Sequence, residues 1–229
     1  MTLGAMLQRL RGSFANSVGT IVFGMEDGTV SIFGLIFGVA ATTTDTKTVL
    51  IAGASGAAAA AVSMMAGAFL DVETTRDEAN AASLSLYSAP RSTAALASRL
   101  AEAGLTSAQS EALVIAVQNS TDAVDGLLRA LRSDPRTPLN PLEQALWMLL
   151  ADFFAAAVPI LPFVFVPVAQ ARIVSGVVTT ALLIGLGVGR AQIAKRSTIR
   201  TVAETVALGI AAAIAGVAIG ALVNYLFAQ

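Results

Sequence analysis

The sequence predicts an all-α membrane protein with five transmembrane helices and a small helical cytoplasmic domain inserted between the second and third spans. Three observations carry this. Hydrophobic residues make up 55% of the chain and charged residues 13%, with a mean hydropathy of +0.75; soluble domains carry about one-quarter charged residues. Apolar runs near the ~20 residues a bilayer requires occupy 17–41, 48–70, 141–166, 172–190 and 202–227. Between the second and third runs the stretch 72–140 is polar and helical in pattern. The chain therefore divides into 1–71 (an N-terminal arm and two spans), 72–140 (the inserted domain) and 141–229 (three spans).

In the arm, Arg9 and Arg11 precede the first apolar run, as in a signal peptide. The run is long, carries two acids and lacks a clear small-x-small cleavage site, so an uncleaved first span is expected. Its segment FGMEDGTVSIFG places Glu26 and Asp27 side by side within the apolar run. Hydrocarbon penalises ionised carboxylates, so acids at such depth face a bundle interior, a cavity or an ion path. Asp27 lies ten positions beyond Ser17, about 15 Å along the helix. Thr20, Gly24, Asp27, Ser31, Gly34 and Gly38 recur at steps of four and three and share one face, with Gly28 beside it. Glu26 points about 100° away from Asp27, towards a different partner such as a second subunit, or is protonated. In the second span Gly53, Gly56, Ala60, Ser63, Gly67 and Asp71 form a similar stripe. Small residues at this spacing let membrane helices approach closely. Met64 would then meet Asp27 at a similar depth.

The insert is expected to break at Ala89–Pro90, to stop a helix at Gly104 and restart one at Thr106 or Ser107, and to end at Pro135, Pro138 and Pro141. Its acids, Glu73, Asp77, Glu78, Glu102, Glu111, Asp122, Asp125 and Asp134, interleave with Arg and read as a solvated surface. Glu73 and Asp77, one turn apart near the membrane, are the pair to test as metal ligands. In the third span Asp152 is a second deep acid, and Pro159, Pro162 and Pro167 would kink the helix. Trp147 and Tyr225 read as interfacial anchors, and Glu204 as a helix-start acid paired with Arg200.

Lys and Arg set the orientation. Arg9, Arg11, Arg190, Lys195, Arg196 and Arg200 fall on one side, against Lys47 and Arg172 on the other. The N-terminus and the 72–140 domain are therefore expected to be cytoplasmic and the C-terminus outside. Compactness and bare termini suggest a bacterial plasma membrane.

Composition also excludes functions. A net charge of -1 and a pI near 5.4 offer no basic patch for nucleic acid. With no Cys and no His, disulfides, zinc fingers and His-based catalysis are ruled out. A bound metal must rest on carboxylates, carbonyls, hydroxyls or Met sulfur. An intramembrane aspartyl protease would need paired acids, but no GxGD motif surrounds Asp27 or Asp152. No enzyme activity and no resident cofactor are expected; lipid and a divalent cation are the expected partners.

DGTVSIFGLIFGVA at 27–40, VSMMAGAFLDV at 62–72, VPILPF at 158–163 and TIRTVAETVALGIAAAIAGVAIG at 198–220 resemble the vacuolar iron transporter (VIT) family. The resemblance covers all five spans. It implies a homodimer of five-helix subunits, joined through the first span, that moves Fe2+ and often Mn2+ out of the cytosol in exchange for protons. It places the family's membrane aspartate on Asp27 and its membrane methionine on Met64; Glu26 or Asp152, as a neighbouring deep acid, is expected to assist them. A carboxylate that binds a dication and a proton in turn supplies the coupling, and Met sulfur favours Fe2+ over Mg2+. The chain departs from the family where its second-span glutamate falls on Gly56 and a later acid on Ala68. The family's cytoplasmic glutamates and methionines fall on residues such as Leu86, Ala95 and Leu127. A transport-inactive relative acting as a scaffold or regulator through 72–140 is the alternative expectation.

Overall fold

The computed structural model describes residues 3–88, 93–120, 122–124, 126–127 and 140–227. Its elements are all helices: α1 (Leu3–Thr42), α2 (Thr46–Ser88), α3 (Thr93–Glu102), α4 (Ser107–Val117), α5 (Pro141–Ile160), α6 (Pro162–Phe165), α7 (Val168–Ala194) and α8 (Thr198–Phe227). Five stretches have the length and composition to cross a membrane, namely Gly4–Thr42, Thr46–Glu78, Pro141–Ile160, Val168–Ala194 and Thr198–Phe227. The chain is a multi-pass membrane protein. The breaks expected at Ala89–Pro90, Pro135 and Pro138, and the acids Asp125 and Asp134, lie outside the described residues.

By contacts the chain forms two units, Met1–Asp71 with Asn140–Gln229, and Val72–Leu139. In the first, α1 is the central element. It packs along α5 and α8 and also touches α7. Ile32, Ile36 and Ala40 of α1 form a buried core with Val49, Ala57, Ala156, Phe163, Val168 and Ala171. The outer face of α8 is apolar and uncovered, with Ile210, Ile214 and Leu222 all more than half exposed. Lipid tails solvate such a face as well as another helix would.

The glycines of α1 work as expected, but with different partners. A Cβ added to Gly34 would sit 2.8 Å from the Ala212 carbonyl oxygen, and one on Gly38 2.6 Å from that of Gly216. The close helix pair is therefore α1 with α8, not α1 with α2. On α2 a Cβ at Gly56 would touch only the side chains of Leu35 and Ile32, and one at Gly67 would meet nothing within 4 Å. Gly53 and Gly56 make room for the side chains of Ile36, Ile160 and Leu35, whereas Gly67 borders open space.

The third span stops short of 166. Pro162 has no N–H to continue the helical ladder, and its ring crowds the carbonyl four residues earlier. The chain instead makes the single turn α6, and Pro167 caps α7. Pro159 stays inside α5, and its carbonyl accepts a hydrogen bond from Ser175 Oγ at 2.8 Å. At the start of α5, Asn140 caps the helix by accepting from the Leu142 amide at 3.1 Å, with Pro141 at the first position. Between α1 and α2, Asp45 caps α2 by accepting from the Lys47 and Thr48 amides at 3.2 and 3.0 Å. The Thr48 hydroxyl and amide bonds hold its carboxyl below the ordinary value of 3.8.

In the second unit, Leu96, Leu100 and Val114 bury themselves between α3 and α4. Gly104 takes a positive φ of 92° at the end of α3, a backbone state open chiefly to glycine. Thr106 then caps α4 in a reciprocal box with Gln109. The stop and restart fall where the sequence puts them.

Candidate functional site

Three consecutive residues of α1 point into three different environments, as the 100° turn per residue requires. Glu26 faces α7 and α8. Its carboxylate accepts from Arg190 Nη1 at 2.9 and 3.2 Å and from Thr205 Oγ1 at 3.0 Å. The partner lies within the chain, so neither a second subunit nor protonation is needed to explain this acid. Glu26 is 7% exposed, and the pair borders a small cavity of about 130 Å³. Its role is to lock α1 against the last two helices.

Asp27 points elsewhere. Phe23, Ser31 and Leu35, one turn apart on either side of it, are exposed, and Asp27 is half-buried among them. In a single chain this face of α1 is uncovered. Beside it, between α1 and α8, runs an open apolar groove of about 680 Å³ that includes Ser31 and Leu35.

Gly28 faces α5 and Asp152. A Cβ on Gly28 would collide with the Asp152 backbone carbonyl and lie 2.9 Å from Asp152 Oδ1. Only glycine lets the two helices meet there. Asp152 is 0% exposed, and neither carboxylate oxygen has a hydrogen-bond partner among the described residues. Asp152 thus packs against the residue that follows Asp27 on α1.

The same seam continues along α5. Gln144, Met148 and Asp152 recur every fourth residue and so lie on one helix face. Each meets a residue of α1 that is small or hydroxylated: Gln144 Nε2 donates to Thr20 Oγ1 at 2.7 Å, Met148 Sδ lies against Gly24, and Asp152 lies against Gly28. Gln144 and Met148 are not singled out by the sequence reading. The signal available was their four-residue spacing from Asp152, read together with Thr20, Gly24 and Gly28 at the same spacing on α1.

Met64 is placed at a cavity between α1, α2 and α5. It lines this space of about 480 Å³ with Thr20, Asp71, Gln144 and Met148, and Asp27 is not part of that lining. Gly67 lines the same cavity, and a Cβ there would meet nothing within 4 Å. Glu73 and Asp77 are exposed on α2. Among the described residues no three acids come together as a metal site. Trp147 is tied inward, its indole N–H donating to Ser13 Oγ at 3.1 Å and its ring edge-on to Phe14. Tyr225 is 79% exposed. Arg200 pairs with Glu204 at 3.0 Å as expected.

Comparison with known proteins agrees with this architecture. The VIT family profile matches residues 18–221. The chain is 29% identical over 177 residues to the "Vacuolar iron transporter" of Centaurea cyanus, covering 73% of this chain and 72% of that one. It is 26% identical over 216 residues to "Vacuolar iron transporter 1" of Arabidopsis thaliana, with 91% and 86% covered. To "Vacuolar iron transporter 1" of Eucalyptus grandis it is 29% identical over 176 residues, with 73% and 71% covered. Since the matched segment takes in most or all of every candidate span, the chain belongs to the VIT family.

Proposed function

We propose that the protein is a secondary transporter that exports divalent metal cations, Fe2+ and Mn2+ first among them, from the cytosol in exchange for protons. The observation that carries this reading is Asp152, a fully buried carboxylate with neither oxygen hydrogen-bonded among the described residues, packed against Gly28, the residue next to Asp27, in a membrane-spanning bundle. A structural carboxyl would have acquired donors, because an unpartnered buried polar group costs about 1–3 kcal/mol. A group held at that cost fits a role in binding something that comes and goes, and in a membrane that means a cation or a proton. Metal transport is what the names of the relatives state of those proteins.

In this reading Asp27 and Asp152 bind the dication, and protons displace it. Glu26 is left out of the ligand set because Arg190 and Thr205 already occupy its oxygens. The protein works as a homodimer through α1. The stripe Phe23–Asp27–Ser31–Leu35 cannot face lipid without placing a carboxylate in hydrocarbon, and a second copy supplies the cover. The positive-inside bias puts the N-terminus in the cytosol. The test is Fe2+ and Mn2+ flux in proteoliposomes. Asp27→Asn and Asp152→Asn should each reduce flux to that of empty liposomes while the protein stays folded. Unchanged flux in both variants would remove the two carboxylates from the mechanism, and a parent protein with no flux above empty liposomes would leave the scaffold reading in its place.

A further inference from the structure

We propose that the cavity lined by Thr20, Met64, Asp71, Gln144 and Met148 is a second cation site, a station that receives a borderline-soft divalent cation before it reaches Asp152. This rests on the transport reading above. The lining residues carry donors of the right kinds, a thioether each on Met64 and Met148, a carboxylate on Asp71, an amide on Gln144 and a hydroxyl on Thr20, around a space of about 480 Å³. A water-coated cation fits such a volume and can exchange its waters for these groups one at a time. The independent sign of a missing ligand is Gln144. Its amide nitrogen is fixed on Thr20 at 2.7 Å, which orients the amide and leaves Oε1 buried with no partner among the described residues. A fixed, desolvated acceptor on a residue that shares this cavity with Met64 and Met148 lacks only a donor or a cation.

The placement also gives a route. Met148 is one turn from Asp152 on the same face of α5, and Gln144 is one turn further. Parting of this closely packed seam would present a cation with an amide, a thioether and then a carboxylate at steps of about 6 Å. Apart from Met64, none of these ligands comes from the positions where family resemblance places metal-binding residues. The third span thus supplies ligands where Gly56 and Ala68 supply none. Thioether sulfur favours soft and borderline cations, so the station should prefer Fe2+ or Co2+ to Mg2+ and Ca2+.

Equilibrium binding separates this proposal from the transport reading. Co2+ is titrated into the full-length protein in detergent, and cobalt X-ray absorption reports the atoms bound to it. Sulfur scatterers around the bound ion, lost in a Met64→Leu, Met148→Leu double variant together with at least about tenfold weaker binding, are the expected result. Gln144→Leu should weaken binding with the sulfur signal retained, and Mg2+ should not compete. An oxygen-only shell, or unchanged affinity in the double variant with its fold verified by thermal unfolding, overturns the station. Binding with sulfur ligation in a protein that shows no flux leaves the station standing and removes the transport reading. Flux with oxygen-only binding does the reverse.

Discussion

Asp152 and Glu26 are both buried acids, and their surroundings predict opposite responses to removal. Neither oxygen of Asp152 is hydrogen-bonded. Asp152→Ala therefore removes a desolvation cost of about 1–3 kcal/mol and opens only a small void, worth about 0.5 kcal/mol. Thermal unfolding in detergent should show a variant as stable as the parent or more so, with flux abolished. Loss of stability would mean that the carboxyl has structural partners. Glu26 behaves differently because Arg190 and Thr205 satisfy it. Arg190→Ala strands a carboxylate that is 7% exposed, and breaking a buried pair costs about 3–5 kcal/mol. The 40% exposure of the Arg190 side chain places this case near 3 kcal/mol. Neutralising both partners together, as Glu26→Gln with Arg190→Met, should recover most of that loss. Equal destabilisation by the single and double variants would show that the ion pair does not hold α1 in place.

At the scale of the helix, glycines that look alike in sequence do different work. Gly38→Ala drives a methyl into the Gly216 carbonyl, a backbone atom that cannot turn aside, and should cost about 1–3 kcal/mol or more. Gly67→Ala meets nothing within 4 Å and should leave thermal stability unchanged. Equal effects would mean that α1 and α8 do not meet at these glycines. This contrast also marks how far the sequence can be read. The five spans, the stop at Gly104, the cap at Thr106 and the pairing of Arg200 with Glu204 depend on local spacing and were legible. The partner of the α1 glycines was not, because small residues permit close approach without specifying which helix approaches. For the same reason Asp152 could be flagged as a deep acid, but its seat on Gly28 and the alignment of Gln144 and Met148 with α1 required the packed helices. The cap on α2 responds to pH. The Asp45 carboxyl is held below its ordinary value by its bonds to Thr48, so its contribution is present above pH about 4 and fades as pH falls through the lowered value. Amide exchange at Thr48, corrected for intrinsic rates, should accelerate only in that acid range; no change there would show that the cap does not hold this helix start.

At the scale of the whole molecule, the absence of cysteine makes the dimer directly testable. Ser31→Cys places one thiol on the stripe that bears Asp27, and Ile210→Cys places one on the lipid-facing side of α8, where the side chain is 53% exposed. Oxidation in membranes should cross-link the first and not the second; the reverse pattern would leave the Asp27 face covered by something other than a second copy. The proposed exchange of cation for proton would follow from charge. Two neighbouring carboxylates can balance one dication or take up protons, and occupancy by both at once would leave excess positive charge in a low-dielectric interior. Release of the cation is thus favoured where protons are abundant, and proton release where the cation binds. Proteoliposomes with an acidic lumen should take up Fe2+ faster than liposomes at equal pH, and the lumen should become less acidic as the metal enters. A protonophore should remove the acceleration. If uptake is the same with and without the gradient, and no luminal alkalinisation accompanies it, the carboxylates carry the metal alone and the coupling to protons is wrong, whatever becomes of the transport reading.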